Sequence, residues 1–77
     1  MGEEEWKTNL VEAAVERVKQ QVKEEQFQMF HLYVVKGWPV LKVARTLGVN
    51  AGRVYLAKHR IAGLVKKEIG RLERSAF

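Results

Sequence analysis

Apolar residues recur along this chain with a helical period, in four segments separated by short breaks, with no repeat, low-complexity tract or Ser/Pro linker. In the first segment, residues 1–23, Trp6, Leu10, Ala14, Val18 and Val22 recur every four positions. Val11, Ala13 and Val15 widen that stripe, while Glu12, Glu16, Lys19 and Lys23 take the opposite face, so one face of a leading helix is expected to be buried. Residues 24–36, "EEQFQMFHLYVVK", start with acids, as a helix N-terminus prefers, and align Phe27, Phe30 and Val34 at spacings of three and four. This segment reads as the core helix.

The breaks carry their own signals. Gly37 follows as a helix stop, and Pro39 restricts Trp38 to extended geometry while suiting the start of the next helix. The third segment, residues 40–47, turns Val40, Val43, Ala44 and Leu47 inward and Lys42 and Arg45 outward, and Gly48 ends it as a left-handed cap does. Asn50 opens the fourth segment, residues 50–72, as a favoured N-cap residue. Only Gly48 and Val49 lie between these two helices, too few for antiparallel packing. A steep crossing with Val49 in the corner is expected, with a small residue at Ala44 and apolar groups at Val43, Leu47 and Val54. The expected fold is all-α: a small four-helix domain containing a helix-turn-helix, its first helix the amphipathic leading one.

Charge adds what periodicity cannot. Residues 1–35 hold seven Glu against four basic residues. Residues 36–67 hold Lys36, Lys42, Arg45, Arg53, Lys58, Arg60, Lys66 and Lys67 with no acid, and Glu68 then opens a tail of mixed, balanced charge. A block of one sign on a folded region sets up a field that attracts polyanions. The chain of 77 residues has the length of one domain, has no cysteine to staple it, and must be held by packing. No apolar run is long enough to cross a bilayer and the N-terminus "MGEEEWKTNL" is acidic and polar, so a cytoplasmic location is expected.

The fourth segment joins the two arguments. At one hundred degrees per residue, Val54, Ile61, Val65 and Leu72 fall on one stripe and Arg53, Tyr55, Leu56, His59 and Arg60 on another. The first stripe anchors. The second puts positive charge at a helix N-terminus, where the helix dipole already disfavours it, so negative charge from a partner is expected there. In the major groove, Arg53 can grip guanine O6 and N7 as a fork while phosphates neutralise the remaining charge. Gly52 lets backbone approach a phosphate closely, and Leu56 suits either a thymine methyl or a protein contact. Gly63 and Gly70 each cost the helix about 1 kcal/mol relative to Ala and make its end a candidate for bending.

From about Glu25 to Arg60, "EEQFQMFHLYVVKGWPVLKVARTLGVNAGRVYLAKHR" resembles region 4 of bacterial RNA polymerase sigma factors of the extracytoplasmic-function type. That family's pattern is a helix, a Gly corner, a short helix ending Leu-Gly, then a Ser-capped helix reading Gly-Thr-Val-Lys-Ser-Arg. Gly37, Ala44, Leu47, Gly48, Gly52, Val54, His59 and Arg60 fall where the pattern expects them, and Asn50 stands in for the capping Ser. The resemblance covers about half the chain. It implies a module that binds the upstream, minus-35 promoter element in double-stranded DNA and holds the flap of the RNA polymerase β subunit in an apolar groove, with an anti-sigma factor as a further possible partner.

The family's Thr, Lys, Ser and Arg are here Arg53, Tyr55, Leu56 and Ala57, so the base sequence read does not carry over. Pro39 replaces the usual hydroxyl cap and leaves Lys42 and Arg45 as the phosphate contacts of the supporting helix. The expected DNA-binding set is Lys42, Arg45, Asn50, Gly52, Arg53, Tyr55, Leu56, His59 and Arg60. A sigma factor also needs a domain that melts the promoter and clamps onto the polymerase, so the chain reads as a fragment; read as whole, it would be a stand-alone helix-turn-helix regulator.

Other chemistry finds little footing. His31 sits on the core helix and reads as a packed or surface residue; His59 reads as touching phosphate or nothing. With no Cys and no Asp, no metal site or cofactor is expected. No Gly-Lys-Ser/Thr follows Gly48 and Gly52, and no nucleophile, base and orienting acid assemble, so no enzyme is expected. The alternative to a DNA reader is a helical protein-interaction module whose basic face meets an acidic partner. A membrane is not an expected partner, because the apolar stripe of the basic helix is needed for the core.

Overall fold

The computed structural model describes residues 3–76, with side chains over 9–74. The described residues form four α-helices and no strand: α1 (Glu3–Lys19), α2 (Glu24–Phe30), α3 (Val40–Leu47) and α4 (Ala51–Ala76), with a π-helical turn, His31–Val35, continuing α2. The all-helical architecture follows the hydrophobic period. Trp6 heads the predicted α1 stripe but lies outside the residues whose side chains are described.

Local chemistry accounts for the helix ends. Gly37 (φ 71°) and Gly48 (φ 68°) both adopt left-handed backbone, where a side chain is strained. At the second, the N–H groups of Gly48 and Val49 both return to the Ala44 carbonyl, the latter at 3.0 Å, so the last turn of α3 closes on itself. Pro39 precedes α3 in extended geometry, and its carbonyl accepts from Lys42 and Val43. At the head of α4, the Arg53 N–H donates to Asn50 Oδ1 at 2.9 Å, satisfying one of the free amides of the first turn.

Three boundaries differ from the sequence expectation. The first helix ends at Lys19 rather than near residue 23, because Gln20 and Gln21 bond back to Arg17 and Val18 in tight i→i+3 turns. The second helix widens after Phe30: the Lys36 N–H reaches back five residues to His31, and the slower rotation carries Val34 off the Phe27–Phe30 face. Val34 is consequently 44% exposed instead of buried. The fourth helix runs on to Ala76, a continuous 26 residues through both Gly63 and Gly70. At the α-helical rise it is about 39 Å long, close to the 42 Å length of the molecule.

α4 is therefore the spine, and two apolar clusters sit along it. Ile61 and Val65 of α4 pack with Ala14 and Val18 of α1 and with Phe27 and Phe30 of α2, and Val22 and Leu72 cover the edges. Val54 and Ala57 of α4 pack with Val43 and Ala44 of α3 and with Met29 of α2, under Val40, Leu47 and Val49. α2 thus faces two ways, its phenylalanines toward one cluster and Met29 toward the other. The expected widening of the α1 stripe is only partly realised, because α1 rests on a single side: Val15 packs, but Val11 is 43% exposed and Ala13 is also exposed.

Glu68, the first acid after the basic block, is drawn into the fold rather than left at the surface. It is buried, and its Oε1 accepts from Gln21 Nε2 at 3.1 Å and from Arg71 at 3.4 Å, while Arg17 lies 3.9 Å from Oε2. The link joins the end of α1 to the second half of α4.

Candidate nucleic-acid interface

Packing turns the first two turns of α4 into a platform. Val54 and Ala57 are buried against α3 and α2, which leaves Arg53, Tyr55, Leu56, His59 and Arg60 exposed on the remaining circumference, as the helical wheel predicts. Leu56 is 71% exposed, a large apolar side chain standing among cations. Ala57 is buried, so this position offers no side chain to the exposed face of α4.

The exposed residues divide into three neighbourhoods. Arg53, Leu56, His59 and Arg60 line one groove of about 300 Å³ whose far wall is Gln26 of α2 and whose floor is Met29. On another side, Tyr55 meets Tyr33 edge to face, ring centroids 5.7 Å apart at 82°, and Lys58 sits 5.5 Å above the Tyr33 ring. An edge-to-face pair and a cation over a ring face are both favourable arrangements of the aromatic quadrupole. On α3, the Lys42 ammonium lies 4.3 Å over the Trp38 ring, and Arg45 is exposed in the last turn. The predicted residues share one end of the molecule's fold, α3 and the first turns of α4, but they do not converge on one pocket.

Two predicted site residues have an intramolecular role. The side-chain carbonyl of Asn50 is engaged in capping α4. A Cβ at Gly52 would come within 3.2 Å of that same Oδ1, so the absence of a side chain at 52 makes room for the cap. Both remain exposed at the head of the helix, with the Asn50 side-chain amide free to donate outward.

Negative charge does reach the head of α4 from within the chain. Glu25 Oε1 lies 3.6 Å from Arg53 Nη2, with both side chains more than half exposed. Such exposed pairs contribute about 0–1 kcal/mol, further reduced by salt, so the pair shields Arg53 without immobilising it. Sequence reasoning assigned Glu25 to the dipole of α2, which explained its presence fully and hid its second neighbour. Gln26, Tyr33 and Trp38 fall outside the expected site because their neighbours come from other helices: Gln26 faces the groove under α4, Tyr33 meets Tyr55 and Lys58, and Trp38 lies under Lys42. Among the described residues, no group of three or more His, Cys, Asp or Glu comes together to hold a metal ion, and no helix is long and apolar enough to cross a membrane. Compared with protein-family models, with curated proteins and with solved structures, the chain matches none.

Proposed function

We propose that this chain binds double-stranded DNA, with α3 and the first half of α4 acting as a helix-turn-helix whose recognition helix is α4. The observation that carries the reading is the split of the first turns of α4 into a fully buried apolar stripe and an exposed stripe of Arg53, His59 and Arg60, within a 32-residue span of eight cations and no acid. Such a helix end fits the major groove, where Arg53 donates to guanine O6 and N7 and Arg60, Lys42 and Arg45 meet phosphates. In the finer form of the proposal, the module is region 4 of an extracytoplasmic-function sigma factor. It reads the minus-35 element during transcription initiation in a bacterial cytoplasm, and it holds the polymerase β flap or an anti-sigma factor against an apolar surface.

A second reading is favoured by Leu41, 66% exposed on α3, and Leu56, 71% exposed on α4. Two large apolar side chains beside a basic surface fit a helical module that docks an acidic protein partner. Selection of random duplexes by the chain at low salt, with sequencing of the bound pool, separates the two. Enrichment of a short motif that is lost in Arg53→Ala supports the sequence reader. Retention without enrichment limits the chain to charge-driven DNA binding, and no retention moves the protein partner to the front.

A further inference from the structure

The Glu25–Arg53 pair spans two helices that packing holds in place. Glu25 immediately precedes the stretch of α2 anchored by Phe27, Met29 and Phe30, all buried, and Arg53 adjoins Val54, which is fully buried, in the capped first turn of α4. The two backbones are therefore fixed relative to one another, and the two side chains meet at 3.6 Å from opposite sides of an exposed edge. A guanidinium has five N–H donors, so contact through Nη2 leaves donors for a base edge, and the carboxylate keeps unfilled lone pairs on both oxygens.

A carboxylate in this position is unfavourable beside phosphate. Glu25 therefore opposes the charge-driven binding that the block 36–67 promotes, and where DNA displaces the water around it, the lone pairs that Arg53 does not fill are satisfied by a base that offers a hydrogen-bond donor. In the major groove such donors are the exocyclic amino groups, above all cytosine N4, which Glu is suited to meet.

Resting on the DNA reading above, we infer that Glu25 is a specificity-determining residue of the interface and acts with Arg53 as one composite reader, the guanidinium on guanine O6 and N7 and the carboxylate on a neighbouring cytosine N4. Glu25 lowers affinity for duplexes that lack that donor and spares those that have it. Arg53, left alone, would settle on phosphates and guanines with less discrimination.

The test repeats the random-duplex selection with the wild-type chain, Glu25→Gln, Glu25→Asp and Arg53→Ala, then titrates the enriched duplex and a scrambled one with each. Glu25→Gln is expected to tighten the scrambled duplex severalfold, cut the preference for the enriched duplex about tenfold, and relax a cytosine position while keeping the neighbouring guanine. Arg53→Ala relaxes the guanine. Glu25→Asp keeps the net charge but withdraws the carboxylate, so loss of preference in this variant too assigns the effect to geometry rather than to charge.

If Glu25→Gln tightens both duplexes by the same factor and every position of the motif survives, Glu25 is a plain surface charge and the inference fails while the DNA reading stands. Retention of DNA by the wild type without any motif also overturns the inference and leaves charge-driven binding. No retention by the wild type takes down both.

Discussion

Met29→Ala tests the feature on which the whole arrangement depends, the clamping of α3 and α4 by α2. Met29 is 1% exposed and lies among Val43, Ala44, Val54 and Ala57. Truncating a buried Met to Ala costs about 2–5 kcal/mol, the higher values applying where the surroundings cannot collapse. Two of its neighbours are alanines with no side-chain reach to fill the space, so a loss of about 3 kcal/mol or more is expected. A 77-residue domain has about 4–12 kcal/mol to lose, and a urea m-value near 1 kcal/mol/M for a chain this small turns the loss into a midpoint shift of about 3 M. Urea denaturation followed by far-ultraviolet circular dichroism measures it directly. Because Met29 also floors the groove beneath Arg53 and Leu56, DNA affinity should fall in parallel. A cost below about 1 kcal/mol would refute the reasoning, since it would mean that α2 does not hold the second cluster together.

Arg53→Ala should weaken preferred duplexes by about 1–3 kcal/mol and blur their sequence preference, whereas Lys42→Ala should weaken all duplexes alike; equal, sequence-independent losses from both would sink the assignment of Arg53 to base reading. With about five phosphates contacted, log affinity should fall against log salt with a slope near −4 to −5, and a flat response in a salt titration points to a protein partner. Gly63→Ala should stabilise the chain by about 1 kcal/mol, as Gly63 is mid-helix with open space where a Cβ would go. Gly48→Ala should destabilise it by about 1–2 kcal/mol because of the left-handed backbone at φ 68°. Asn50→Ala, removing the cap on Arg53 N–H, should cost about 1 kcal/mol in the same urea assay, without the loss of base preference expected of Arg53→Ala.

The features legible in the sequence are those decided within a few residues. Gly37, Pro39, Gly48 and Asn50 mark the ends of helices because left-handed backbone, a missing N–H and a side-chain cap act locally, and α3 runs over Val40–Leu47 as the spacing predicts. The inward set Val54, Ile61 and Val65 followed from the 3.6-residue period alone, and so did the exposure of the cationic stripe on α4. A strongly one-sided helix leaves little choice of which face to bury.

The rest was decided by the tertiary structure, for reasons the chain does not carry locally. Periodicity names one apolar face per helix, but α2 is packed on two sides, so Met29 is buried opposite Phe27 and Phe30 while the π turn releases Val34. Gln21 and Glu68 are 47 positions apart, and only the docking of α1 on α4 makes Glu68 a buried acceptor. Glu25 and Arg53 meet for the same reason, across the edge where α2 crosses the head of α4. A sequence states the sign and order of its charges. Which carboxylate stands beside which guanidinium depends on helix docking, which is set by how the two apolar clusters fill.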